Sequence, residues 1–168
     1  MKAALCKSLD GPSGLVVETR ADPVARDGQA VVRVAAVGLN FADTLITRGK
    51  YQFKPELPFS PGAEIAGIVE TVGVNDHGIH VEQRVMAYVN WGGAAEKIAV
   101  DVGSLIPIPA GVPLEVAAGL SVTYGTAVHG LNDRGKVKAG ETVVVTGAAG
   151  GAGQAAVEIA KLMGARVI

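Results

Sequence analysis

The chain has 168 residues, of which 49% are hydrophobic and 18% are charged, and its formal net charge is −1. This composition excludes a disordered chain, and the balance of 16 acidic and 15 basic residues gives no indication of a nucleic-acid footprint or a polybasic membrane patch. The single cysteine, Cys6, excludes an internal disulfide framework and a four-thiolate zinc lobe.

The N-terminal apolar stretch is too short for a signal-peptide core, because it ends at Lys7. No apolar run approaches the length of a membrane span. We therefore expect a protein of the cytoplasm that has no membrane or nucleic-acid partner.

The first part of the chain, up to about residue 109, predicts short strands separated by Gly, Pro and Asp. The predicted strands are Lys2–Leu5, Leu15–Thr19, Ala30–Val37, Glu64–Val72, Gln83–Val89, Ala94–Val100 and Leu105–Ile108. Strands at this spacing favour a compact antiparallel barrel or sandwich. A short helix is predicted at Asn40–Thr47, with Phe41, Leu45 and Ile46 on one face.

The second part of the chain reads as helix, buried strand, glycine loop and helix. Pro113 opens a predicted helix that runs to Leu131 on apolar residues at helical spacing. Thr142–Thr146 is β-branched throughout, which predicts a strand buried on both faces. A helix is predicted at Gln154–Met163, and another strand begins at Arg166.

This order of elements predicts two domains. Residues 1–111 form a β-rich domain, and residues 112–168 form the first part of a doubly wound α/β domain that stops after one βαβ unit. On the order of 100 further residues would be needed to complete such a sheet. We therefore expect this chain to be inactive by itself.

A glycine loop with the spacing GxxGxxG joins the predicted strand to the predicted helix. The residues that we assign to cofactor binding here are Gly147, Gly150, Gly151, Ala152 and Gly153. Glycines in this setting let backbone N–H groups approach a pyrophosphate at a helix N-terminus. The competing interpretation is a tight turn without a ligand. The acidic or basic residue that separates NADH from NADPH would lie beyond the last residue, so that choice stays open.

Several segments resemble the medium-chain dehydrogenase/reductase superfamily, and within it the zinc-free, zeta-crystallin-like quinone oxidoreductases. These segments are GLNFAD at 38–43, RGKY at 48–51, PGAEIAG at 61–67, GGAAE at 92–96 and the glycine loop. The resemblance implies a GroES-like β-barrel catalytic domain followed by the start of a Rossmann domain. It also implies a nicotinamide cofactor and a homodimeric parent protein.

The departures from zinc-dependent members of that superfamily bear on the chemistry. Those members have Cys where this chain has Asn40, and His where it has Ala63. An amide and a methyl group are not zinc ligands, so no metal is expected. We expect His77 and His80 to be solvated and His129 to be structural.

The resemblance places Asn40 and Tyr51 in a cleft between the two domains, and the candidate catalytic residues are Asn40, Tyr51 and Asp43. Asn40 also serves the cofactor, as do Thr123 and Thr126. Asn40 can donate to a developing oxyanion, Tyr51 can donate or stack, and Asp43 can organise the segment. The plainer alternatives are a helix N-cap for Asn40, a half-buried loop tyrosine, and threonines that bond their own helix.

The expected activity is the reduction of quinones or related conjugated carbonyl compounds by NADPH, with NADH not excluded. One alternative is an enoyl or alkenal reductase of the same superfamily. Another is a non-catalytic nucleotide-binding or structural protein, since a fold does not fix a function.

Overall fold

A computed structural model describes residues 1–168. The chain separates into two compact units, Met1–Gly119 and Leu120–Ile168. The strands are β1 (Lys2–Cys6), β2 (Leu15–Thr19), β3 (Gln29–Gly38), β4 (Glu64–Val72), β5 (Arg84–Tyr88), β6 (Lys97–Asp101), β7 (Ile106–Pro107), β8 (Thr142–Val143) and β9 (Arg166–Val167). The α-helices are α1 (Phe41–Ile46), α2 (Leu114–Ala117), α3 (Thr123–Val128) and α4 (Gly151–Leu162). None of the helices is both long enough and apolar enough to span a bilayer.

The first unit is built on a five-stranded antiparallel sheet with the strand order β6-β3-β4-β5-β7. Strands β1 and β2 form a separate antiparallel pair. Isolated bridges from Ala3 to Ala95 and from Cys6 to Phe59 join that pair to the rest of the unit. All seven strands predicted for this region are present, and β2 and β4 have the predicted bounds.

One face of the five-stranded sheet carries the main hydrophobic core. Its fully buried members include Val32, Ile65, Val85 and Ala87. Burying each of the larger side chains contributes about 1.5–3 kcal/mol. Since neighbouring residues of a strand point to opposite faces, Glu64 lies on the other face of the sheet.

Helix α2 packs on that second face through Ala117 and Ala118, which cluster with Ala66 of β4. Gly38, at the end of β3, lies beneath this contact. A Cβ atom at Gly38 would come within 2.3 Å of the carbonyl oxygen of Ala118 and 2.9 Å of Oε1 of Glu64. Only glycine therefore lets strand β3 approach both groups.

The prediction of one helix from Pro113 to Leu131 is wrong. Helix α2 ends at Ala117, α3 begins at Thr123, and a π-helical segment follows at His129–Arg134. The packing of α2 on the sheet fixes its direction, and Gly119, with its low helix propensity, lies at the break. Because α2 packs with the sheet, the compact units divide after Gly119 rather than at the predicted residue 111.

Four charged groups form a network on the first unit. The N-terminal amine of Met1 lies 2.7 Å from Oδ1 of Asp22, and Nζ of Lys97 lies 2.7 Å from Oδ2 of the same carboxylate. Lys97 also lies 2.6 Å from Oε1 of Glu70. The hydrogen bond from Lys97, followed by that from the N-terminal amine, lowers the pKa of Asp22 to about 2. The network ties the loop at Asp22 to β6 and β4.

The second unit contains the βαβ arrangement that the sequence predicts, with β8 and β9 parallel. Its helix begins earlier than predicted, at Gly151, and buries Ala155 and Ala160 completely. The prediction that Thr142–Thr146 is a strand buried on both faces is wrong. Strand β8 is limited to two residues, and Val144 is 67% exposed, because β9 is its one neighbour in the sheet.

Candidate active site

Asn40 and Asp43 form a rigid start to helix α1. Asn40 is the N-cap residue, with an extended backbone, and its N–H donates a 2.7 Å hydrogen bond to Oδ2 of Asp43. The other carboxylate oxygen of Asp43 accepts a 2.8 Å bond from the backbone N–H of Gly62. Asp43 therefore joins the first turn of α1 to the loop before β4, and both of its oxygens hold backbone in place.

The side-chain amide of Asn40 is oriented by a buried carboxyl group. Its Nδ2 donates a 2.8 Å hydrogen bond to Oε1 of Glu64, whose side chain is 2% exposed. Because Oε1 of Glu64 accepts this hydrogen bond, the NH₂ group of the Asn40 amide, and not its oxygen, faces Glu64. A primary amide has two N–H groups, so a second donor is available to a ligand after Glu64 is satisfied.

Tyr51 follows α1 and is half-buried. It packs against a small cluster formed by Cys6, Ile46 and Phe59. Its ring lies edge-on to that of Phe53, with 5.9 Å between the centroids. Tyr51 therefore lies in the loop after α1, where it contacts Phe53 and packs against the buried side chain of Ile46. Phe41, which the sequence predicts on the same face as Ile46, is instead 77% exposed.

Tyr88 belongs to this region, and the sequence reasoning missed it. It ends β5 directly opposite Glu64 in the strand register and is 45% exposed. Partial burial raises the pKa of the Tyr88 phenol, and Tyr51, Asp43 and Glu64 raise it further. Alternation along Arg84–Tyr88 indicates that Tyr88 points away from the core. The sequence does not show that Tyr88 pairs with Glu64, and this pairing is what places Tyr88 beside the site.

The positions that hold zinc ligands in metal-dependent relatives carry other chemistry here. Ala63 is buried and offers a methyl group. The structure contains no cluster of three or more His, Cys, Asp or Glu side chains that could hold a metal ion. His77 and His80 are exposed, and Nδ1 of His129 lies 3.0 Å from Oδ2 of Asp133 on the surface of the π-helical segment.

The glycine loop of the second unit is shaped for a close backbone approach. Gly147 has a φ of +79°, which favours glycine. A Cβ atom at Gly153 would lie 2.2 Å from the carbonyl oxygen of Gly147. Gly150 precedes the twelve-residue helix α4, and no side chain caps its first turn. The N–H groups of Gly151 and its two successors have no acceptor within the helix, which suits the pyrophosphate of a dinucleotide.

Helix α3 lies against this loop. A Cβ atom at Gly151 would be 3.3 Å from Cγ2 of Thr123, so the side chain of Thr123 borders the start of α4. The hydroxyl of Tyr124 donates a 2.6 Å hydrogen bond to Glu158, which raises the pKa of Tyr124 and ties the two helices together. Thr126 is exposed on the next turn of α3.

Comparison with known proteins identifies the family. The profile of the family described as "Alcohol dehydrogenase GroES-like domain" matches residues 26–110, just over half of the chain. Quinone oxidoreductase-like protein 2 of Rattus norvegicus is 39% identical over 159 residues, which cover 95% of this chain and 45% of the rat protein. The chain thus spans about half the length of the curated relatives that it matches.

Two solved structures extend the similarity to the fold. A probable oxidoreductase from Mycobacterium abscessus superposes with a TM-score of 0.95 at 45% identity, over 99% of this chain and 54% of that one. The quinone oxidoreductase of Thermus thermophilus, also solved in complex with NADPH, gives a TM-score of 0.86 at 42% identity, over 99% of this chain and 52% of that one.

These matches confirm the predicted fold class, a GroES-like domain followed by the beginning of a Rossmann domain. They also confirm the predicted resemblance. The chain belongs to the alcohol dehydrogenase GroES-like domain family and is a quinone oxidoreductase-like member of the medium-chain dehydrogenase/reductase superfamily.

Proposed function

We propose that the protein reduces quinones or related conjugated carbonyl compounds with hydride from NADPH and without a metal ion. The observation that carries this proposal is the Asn40 amide, which Glu64 holds at 2.8 Å with one N–H left for a ligand. A fixed neutral donor can stabilise the negative charge that develops on a carbonyl oxygen when hydride is added. It does so without the Lewis acid that zinc-dependent relatives use.

When bound, NADPH supplies the hydride, and the protein supplies placement and electrostatics. Asn40 would donate its second amide N–H to the substrate carbonyl or to the nicotinamide ribose. Tyr51 would line the substrate position with its ring and hydroxyl. Asp43, with both oxygens on backbone N–H groups, would keep Asn40 in place rather than transfer a proton. The reduced product would take its proton from water.

The cofactor would be held in the second unit. The uncapped first turn of α4 and the glycines at 147, 150, 151 and 153 suit a pyrophosphate, and Ala152 lies among them. Thr123, beside Gly151, and Thr126 would donate hydroxyl groups. The complex of the Thermus relative with NADPH supports NADPH as the cofactor. A homodimeric parent protein and a location in the cytoplasm remain predictions of this proposal.

The test begins with the intact mass of the protein purified from its native source, because the chain spans about half the length of its relatives. That native protein is then assayed for NADPH oxidation with and without duroquinone, a quinone that resists addition of thiols. Quinone-dependent oxidation that a metal chelator does not inhibit, and that falls at least tenfold in Asn40→Ala, would support the proposal.

Three results would contradict it. Consumption of NADPH with cyclohexenone but not with duroquinone would contradict quinone reduction and favour the enoyl reductase alternative. Binding of NADPH without consumption by either substrate would favour a non-catalytic protein. Loss of activity with a chelator would overturn the metal-free mechanism.

A further inference from the structure

We propose that Tyr88 contacts the substrate, donating a hydrogen bond from its phenol to a carbonyl oxygen on the face of the sheet where Asn40 lies. The inference rests on the proposed function and names a further residue of the same site. Tyr88 would then help to select flat conjugated carbonyl compounds, with its ring beside the substrate and its hydroxyl on the oxygen.

The strand register places Tyr88 next to the group that orients Asn40. Tyr88 is directly opposite Glu64, and directly opposed residues have Cβ atoms about 4.5–5.5 Å apart. Both side chains leave the sheet on the same face, since their neighbours Ile65 and Ala87 enter the core together. Glu64 in turn accepts the hydrogen bond from Asn40. Tyr88 and the Asn40 amide therefore flank the same carboxyl group.

The surroundings of the three tyrosines differ in a way that favours Tyr88 as a ligand contact. Tyr51 has a ring partner in Phe53, and Tyr124 donates its hydroxyl to Glu158. Tyr88 has neither a ring partner nor a hydrogen-bond acceptor within the chain. A half-exposed phenol on the face that carries the site is thus free to donate to a bound molecule.

The electrostatic surroundings keep this phenol a donor. Partial burial, then Tyr51, then the carboxyl groups of Asp43 and Glu64, all raise the pKa of Tyr88 above its ordinary value. The hydroxyl therefore remains protonated through the neutral range.

The experiment uses fluorine NMR of the 168-residue chain. The chain has three tyrosines, so incorporation of fluorotyrosine gives three resonances, each assigned by one Tyr→Phe variant. Duroquinone is titrated at one fixed, mildly acidic pH. We expect the resonances of Tyr51 and Tyr88 to shift, and that of Tyr124, which lies in the second unit, to stay in place.

Binding to variants then measures the contribution of the hydroxyl. The dissociation constant, read from the Tyr51 resonance, should rise roughly three- to tenfold in Tyr88→Phe, the range for one neutral hydrogen bond. It should be unchanged in Tyr124→Phe, the matched control. An unshifted Tyr51 resonance in the ligand-free Tyr88→Phe protein shows that the unit remains folded.

The outcomes separate this inference from the proposed function. A titration that shifts Tyr51 but not Tyr88, or an equal dissociation constant for Tyr88→Phe and the unaltered chain, overturns the role of Tyr88 alone. A titration that shifts none of the three resonances up to the solubility limit of duroquinone overturns the role of Tyr88, while the NADPH oxidation assay of the native protein decides the proposed function separately. Shifts at Tyr51 and Tyr88 with weaker binding in Tyr88→Phe support both.

Discussion

The Nδ2 atom of Asn40 lies 2.8 Å from Oε1 of Glu64, so a helix-capping amide is fixed by a carboxyl group on the first residue of β4. The cap is on a short helix, but the carboxyl group is on a central strand of the sheet. Groups held by regular strands are placed more precisely than groups held by loops alone. The amide is therefore oriented before any ligand arrives, as electrostatic stabilisation of a transition state requires.

Replacing Glu64 should show what this bond contributes. Glu64→Ala removes the acceptor of the half-buried Asn40 amide, and we expect the free energy of unfolding to fall by about 1–3 kcal/mol. Glu64→Gln keeps a carbonyl acceptor of similar size, and its loss should be smaller. Urea unfolding followed by circular dichroism measures both. Equal stability of Glu64→Ala and the unaltered chain would contradict the assignment.

Replacing Asp43 with asparagine, its amide counterpart, should lower the stability of the protein. Both carboxylate oxygens accept backbone N–H groups, from Asn40 and Gly62, whereas an Asn side chain has one oxygen. Its NH₂ group would face a backbone donor, so Asp43→Asn should cost about 1–3 kcal/mol of unfolding free energy.

The control for that change is Asp101→Asn. Asp101 is exposed and accepts one hydrogen bond, from Gln29. We expect a change within about 0.5 kcal/mol for this variant. Chemical unfolding of the two variants side by side provides the measurement, and a smaller effect at Asp43 than at Asp101 would refute the prediction.

The Asp22 network should make stability depend on pH in the acidic range. The folded pKa of Asp22, about 2, lies below the ordinary value of 3.8. The contribution of this carboxylate is therefore fully present above about pH 4 and is lost as the pH falls toward 2. The difference in unfolding free energy between the unaltered chain and Asp22→Asn should shrink as the pH is lowered from 6 to about 3.

Asp76→Asn is the matched control for charge, because its carboxylate is 97% exposed. The gap in unfolding free energy between the unaltered chain and Asp22→Asn should shrink more over that range than the gap for Asp76→Asn. A gap for Asp22→Asn that stays constant between these pH values would mean that the network does not hold in solution.

Gly153→Ala should disrupt the glycine loop. The added methyl group would lie 2.2 Å from the carbonyl oxygen of Gly147, which is backbone and cannot turn aside. We expect α4 to shift at its first turn, with loss of unfolding free energy and at least tenfold weaker NADPH binding. Thermal unfolding and fluorescence of the bound nicotinamide measure these effects.

Gly125→Ala is the control for the same substitution in the same unit. Gly125 lies in α3 with no atom within 4 Å of the added methyl group. Alanine in an open helical position should stabilise the protein by roughly 0.5–1 kcal/mol. Equal thermal stability and equal NADPH binding of the two variants would contradict the prediction that the glycine loop requires glycine at position 153.

The strands of the first unit were predictable because their signal is local. Strands β2 and β4 contain β-branched residues in the alternating or continuous runs that are typical of strands. Turn residues mark the ends of these runs. The helix over residues 113–131 could not be divided from its sequence. Its apolar spacing is continuous, and the break near Gly119 follows from the packing of Ala117 and Ala118 on the sheet.

The site was predictable only in part, for the same reason. Asn40 and Asp43 are three residues apart at the start of a helix, so a reciprocal cap is a local property. Tyr88 lies 24 residues after Glu64, and their neighbourhood depends on the register of two strands. Whether Asn40, Tyr51, Asp43 and the glycine loop serve catalysis stays a prediction that the experiments above decide.

Gly38 limits how this site can be redesigned. Any side chain there would collide with the carbonyl oxygen of Ala118 and with Oε1 of Glu64. Position 38, next to the carboxyl group that holds the Asn40 amide, therefore accepts only glycine. Room for variation lies at the neighbouring exposed side chains, Leu39 and Phe41, which are 71% and 77% accessible. A mutant library that aims at new substrates would keep position 38 constant and diversify those two positions.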